Sequence, residues 1–161
     1  MDILSQKEMI EHDQEYGDSN ELSGGFTPLH YASYHGNAKM IDMLISAGAD
    51  IYAENEQGIN VLHVAAQGDS PYSLAFFLRN STLQITSQDK SLSTPLHWAC
   101  ISHAHQAVRY LLAWKTEVNA TDMAGYTPLH LALRDFEFDQ TKSLSTLRLL
   151  LNHDASLDIR D

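Results

Sequence analysis

Four of the nine histidines close the same tetrapeptide. Thr27-Pro28-Leu29-His30, Thr94-Pro95-Leu96-His97 and Thr127-Pro128-Leu129-His130 are identical, and Asn60-Val61-Leu62-His63 is a degraded copy. Histidine serves acid–base catalysis and metal ligation near neutral pH, so the first question is whether these rings can meet. They recur one per unit, and packed helices sit about 8–10 Å apart. Metal–nitrogen bonds are only about 2.0–2.1 Å, so neighbouring rings cannot easily share an ion. The remaining candidate pair, His103-Ala104-His105, has i, i+2 spacing, which on a helix points the rings to different faces. No acidic ligand stands beside it, and no metal is expected. The chain also has no Gly-rich phosphate loop, no G-x-S-x-G and no H-E-x-x-H, so neither catalytic residues nor a cofactor are expected.

The spacing itself has a simpler explanation. Successive motifs lie 33, 34 and 33 residues apart. A constant period marks an array of units, each burying its apolar face against its neighbours. Gly25, Gly58 and Gly125 stand two residues before the motif, with Leu92 as the exception. Asn55, Asp89 and Asp122 stand five before it. Threonine or asparagine at the N-cap offers a side-chain oxygen to the free N–H groups of a first turn. Proline at N1 loses nothing by lacking an N–H. Each tetrapeptide therefore opens a helix. A second helix follows from the apolar spacing of Met40–Ile45, Ser73–Leu78, Ala107–Leu112 and Thr146–Leu151. Gly48 suits the left-handed position that ends the first of these.

These letters in this register resemble the ankyrin repeat, over residues 18–161. The resemblance implies an all-α solenoid of about four helix–turn–helix units, with β-hairpin-like finger loops on one side. It gives a structural role to Thr27, His30, His63, Thr94, His97, Thr127 and His130, the histidines tying the turn of one repeat to the next. Cys100 falls where that family places a buried alanine, which makes it a structural thiol. The family is a binding scaffold with no chemistry of its own, and it recognises proteins through finger tips and the inner helix surface. Tyr34, Trp98, Ile101, Met123, Tyr126 and Arg134 occupy such positions by register, with packing between repeats as the other reading of Trp98. Tyr, Trp, Met and Arg are enriched at interface centres, so these six are the expected partner-binding residues.

The ends and the fourth unit depart from the pattern. Residues 1–17, with Ile3, Leu4, Met9 and Ile10, read as an amphipathic helix capping the open face of the first repeat. Val118 and Leu157, equivalent apolar positions, are 39 residues apart instead of 33. That places an insertion near residues 135–143, with Phe136 and Phe138 on an acidic loop. The chain stops where the next finger would begin, with no polar cap, and its C-terminal end is expected to be truncated.

Charge narrows the partners. Ten basic residues against 21 acidic ones give a net charge of −11. Nucleic acid and anionic lipid are repelled, whereas a protein segment with basic flanks is attracted. No apolar run is long enough to cross a bilayer, and one cysteine, Cys100, fits a reducing compartment. A cytoplasmic monomer without direct membrane contact is expected. The phrases at Ala65–Leu78, Ser93–Trp114, Asn119–Leu133 and Arg148–Asp161 resemble the ankyrin segment of protozoan DHHC-type palmitoyltransferases. That resemblance implies the substrate-recruiting part of a protein S-acyltransferase, lying on the cytosolic face of a membrane, with no catalysis in this fragment. The Asp-His-His-Cys domain itself is absent. The alternative is a stand-alone cytosolic adaptor or regulatory subunit.

Overall fold

A computed structural model describes residues 24–134 and 140–159. The helix expected at 1–17, the link at 18–23 and the stretch carrying Phe136 and Phe138 lie outside the described residues. Eight helices are described, in four pairs: α1 Pro28–Tyr34 with α2 Ala38–Ser46, α3 Val61–Gln67 with α4 Pro71–Asn80, α5 Pro95–Ile101 with α6 His105–Ala113, and α7 Pro128–Arg134 with α8 Gln140–Leu151. No strand occurs among the described residues. The first helices, α1, α3, α5 and α7, pack side by side, and each pairs with its own second helix behind. This is the all-α repeat architecture expected from the period.

The core lies between these two rows. Leu29, Leu62, Leu96 and Leu129, the motif leucines, meet Ile41, Leu74, Phe77, Leu111 and Leu150 of the second helices. Alanines after the motif (Ala32, Ala65, Ala99, Ala132) are also buried there, and their small size lets neighbouring first helices approach closely. Burial of a leucine contributes about 1.5–3 kcal/mol. No unit has enough of these side chains to fold alone, so each depends on its neighbours.

The fingers are built by one repeated device. The carboxylate or amide oxygen five residues before the motif accepts two backbone N–H groups: Asn55 Oδ1 from Gln57 and Ile59, Asp89 Oδ1 from Ser91 and Ser93, Asp122 Oδ1 from Ala124 and Tyr126. These side chains fold the backbone into an Asx turn. The turn needs a left-handed residue two before the motif, supplied by Gly25, Gly58 and Gly125 at φ +77°, +76° and +84°. Leu92 takes the same conformation at φ 58°, despite the steric cost to a side chain there. Its departure from the glycine pattern changes the residue and leaves the turn intact. Adjacent fingers then join through backbone bonds: Glu56 N–H to the Gly24 carbonyl at 3.2 Å, Lys90 to Gln57 at 2.8 Å, Met123 to Ser91 at 2.9 Å.

Candidate functional site

Three of the four motif histidines, His30, His63 and His97, are two-sided clasps. In the first unit the Thr27 backbone N–H donates to His30 Nδ1 at 3.1 Å. A backbone N–H can only donate, so Nδ1 is the unprotonated nitrogen and Nε2 carries the hydrogen. His30 Nε2 then donates to the Ile59 carbonyl of the next finger at 3.2 Å. His63 repeats this with Asn60 N–H at 3.3 Å and the Ser93 carbonyl at 3.1 Å. His97 does so with Thr94 N–H at 3.1 Å and the Tyr126 carbonyl at 3.2 Å. His130 receives the Thr127 N–H in the same way. The threonine hydroxyls lie 2.8–2.9 Å from the same Nδ1 atoms. Asn60 instead uses its side-chain oxygen on Leu62 N–H and His63 N–H. The histidines thus tie one repeat to the next, and among the described residues no three potential ligands gather around an ion position. His103 and His105 do not share a helix: His103 is in the preceding turn at φ 51°, and His105 opens α6.

The clasp requires a neutral ring, because an imidazolium has no acceptor at Nδ1. Burial pushes the His63 pKa down to about 4, partly opposed by its bond to the Ser93 carbonyl. Burial also lowers His30 and His97, against their bonds to Ile59 and Tyr126. An unfolded histidine titrates near pH 6.5, so the unfolded chain takes up protons first as pH falls. Stability is complete above about pH 6.5 and is lost as pH falls towards His63's folded value of about 4. At pH 5 the loss from His63 alone is on the order of 2 kcal/mol. Urea unfolding followed from about pH 7.5 to about pH 5 checks this, and a flat midpoint across that range would refute the neutral-clasp account.

The side of the first helices facing away from the second row carries a separate apolar cluster. Phe26, Ile59, Val64, Trp98, Ile101 and Leu131 form it, and three tyrosines, Tyr31, Tyr34 and Tyr126, pack against it. This inner face unites most of the expected contact residues, but not as expected. Trp98 is 1% exposed and Ile101 4% exposed, so neither presents a surface to a partner. The Trp98 indole N–H donates to Asp89 Oδ2 at 3.0 Å, and its ring meets His63 edge-on at 6.2 Å. The register placed both residues on the correct side but did not show how deeply the side is buried. Burial raises the Asp89 pKa, opposed by its bonds to Ser93, Trp98 and Ser91. Asp89 therefore sets the finger and holds the tryptophan at once, which its spacing alone did not reveal.

Four expected residues remain accessible. Tyr34 and Tyr126 are half-buried at the edge of the inner face, Arg134 is exposed at the end of α7, and Met123 on its finger tip is 72% exposed. Phe26, His30, Tyr31, Tyr34 and Val64 line a small apolar hollow at the first-repeat end. Cys100 is fully buried, and burial raises its thiol pKa far above the ordinary range, so it is not a nucleophile. No described helix is long and apolar enough to cross a membrane.

The family models and curated relatives agree with this geometry. The model for ankyrin repeats (three copies) matches residues 62–161, and the single ankyrin-repeat model matches residues 24–56. The palmitoyltransferase AKR1 of Lachancea kluyveri is 35% identical over 107 residues, 65% of this chain and 14% of that protein. AVO2 of Saccharomyces cerevisiae, a subunit of target of rapamycin complex 2, is 27% identical over 164 aligned positions, covering 99% of this chain and 37% of AVO2. Canine inversin is 29% identical over 107 residues, 66% of this chain and 10% of inversin. The chain therefore spans only a minor part of each relative. With its histidine clasps, Asx-turn fingers and paired helix rows, this chain belongs to the ankyrin-repeat family.

Proposed function

We propose that this protein-binding array recruits protein substrates to a palmitoyltransferase and performs no transfer itself. The observation that carries the reading is the 35% identity to the palmitoyltransferase AKR1 of Lachancea kluyveri, supported by 33% identity to its Kluyveromyces lactis namesake. The partner is a protein segment with basic flanks, drawn by the net charge of −11. It crosses the rim of the inner face between Tyr34 and Tyr126, with Met123 and Arg134 at the far end. The array works at the cytosolic face of a membrane, as a monomer, and takes no cofactor.

Competition tests this reading. Free array, added in excess to membranes labelled with an alkyne palmitate analogue, should lower acylation of the recruited substrates. The Tyr34→Ala/Tyr126→Ala array should compete about tenfold less well, the loss of about 1–2 kcal/mol expected for aromatic contacts at an interface. Unchanged labelling at saturating array would refute recruitment. A second reading rests on a different observation: the similarity to AVO2 extends over 99% of the chain. In that reading the array is an adaptor or regulatory subunit of a multiprotein assembly, and no acylation band would respond.

A further inference from the structure

Folding sorts charge that the sequence leaves mixed. Ten acidic side chains lie among the described residues, and all but Asp42 of α2 belong to fingers and turns. The basic residues are distributed the other way. Lys39 of α2, Arg79 of α4, Arg109 of α6 and Arg148 of α8 are all exposed, and so is Lys115, two residues beyond α6. Asp42 itself shares a repeat position with Arg109 and Arg148, so the later units reverse its sign.

Aromatic side chains stand between these cations. Tyr72 stacks on Phe76 of the same helix at 6.3 Å, and Tyr110 meets Trp114 at 6.1 Å. Phe76 and Tyr110 are equivalent positions on neighbouring second helices, with Met43 in the same place on α2. Unlike Trp98 on the inner side, Tyr72, Trp114 and Met43 are open to solvent, at 44%, 49% and 63%.

We propose that this outer face of the second helices docks on the surface of an anionic phospholipid bilayer. Such docking is independent of recruitment and rests on where the charges lie. Net charge alone implies repulsion of anionic lipid. A surface senses charge mainly within a Debye length, however, about 8–10 Å at physiological salt. The fingers run from the second row to the first helices, which lie about 8–10 Å behind it, so cations on the face outweigh carboxylates on the fingers. Lys and Arg attract the anionic headgroups, and Trp and Tyr suit the headgroup layer, where ring and polar tip are both accommodated. The cations are spread one or two to a helix over all four units. That matches a plane of many headgroups better than the few carboxylates of one acidic peptide.

The test uses the full chain in low salt. It is sedimented with vesicles of phosphatidylcholine and phosphatidylserine at roughly two to one, and with vesicles of phosphatidylcholine alone. Binding is expected to the mixed vesicles only, and should weaken as salt rises. Each basic residue at such a surface tightens binding about fivefold, so Arg79→Gln/Arg109→Gln/Arg148→Gln should bind about a hundredfold more weakly. Far-UV circular dichroism checks that the variant is folded. Binding of the native chain should also move Trp114 emission to the blue, because Trp98 is already buried, and Trp114→Phe should abolish that shift. No binding to the mixed vesicles, equal binding to phosphatidylcholine alone, or binding with no change in emission overturns the proposal. A folded triple variant that binds like the parent does so too. Release from the vesicles by polyglutamate at matched charge also overturns it and assigns the face to an acidic protein segment. None of these measurements reads acylation, so failure here leaves recruitment standing, and failure of recruitment leaves the lipid result intact.

Discussion

Leu96→Ala is expected to destabilise the array by about 2–5 kcal/mol, the range for emptying a fully buried leucine site. Leu96 has no exposed surface and belongs to α5, which packs between α3 and α7. Loss of its side chain leaves a void shared by three units, and the helices on either side cannot close it without breaking their own clasps. The same truncation at Leu129, which is slightly exposed and has a described neighbour on only one side, should cost less. Urea unfolding of both variants measures the difference. A loss below about 1 kcal/mol at Leu96 would mean that the leucine is not the inter-repeat core residue.

Gly68→Ala should rival it, with an expected loss of about 3 kcal/mol or more, the upper end for forced overpacking. A Cβ placed on Gly68 would lie 1.9 Å from the Tyr34 carbonyl oxygen, 2.7 Å from its carbonyl carbon and 2.9 Å from its Cα. All three atoms are backbone, so no side-chain rotation relieves the overlap. Separating α1 from α3 is the remaining escape, and it would strain the His30 clasp to Ile59. The melting temperature should fall by on the order of 10 °C. A variant that melts like the parent would show that the two helix ends have room to separate without cost.

Gly68 also shows what the sequence could and could not reveal. It stands one residue early for the left-handed position between helices, which Asp69 fills instead at φ 52°. The reason for the glycine is a contact with residue 34, visible only once the units are stacked. The period, the helix starts and the motif leucines were legible because they follow local rules: capping, proline at N1 and apolar spacing. The left-handed finger position was legible in three units through glycine and hidden in the third by Leu92. Trp98 was the harder case. Register assigns it to the inner side, but its burial comes from Asp89 and from the packing of neighbouring units, neither of which lies at helical spacing from it. The same limit applied to Ile101, whereas Tyr34, Met123, Tyr126 and Arg134 lie at or near the surface, as their positions indicated.

The three complete histidine clasps among the described residues run the same way, with the donor ring behind and the accepting carbonyl ahead. The array therefore has a head and a tail, like a line of couplings each hooked to the next. Its first finger holds a Phe26 carbonyl in the acceptor position of Ile59, Ser93 and Tyr126, and its last ring, His130, has no acceptor among the described residues. Because each coupling uses only one ring and one main-chain oxygen, duplicating or deleting a whole unit leaves every other joint chemically unaltered. A unit inserted or removed would therefore change the array's length without changing the chemistry by which its other units are joined.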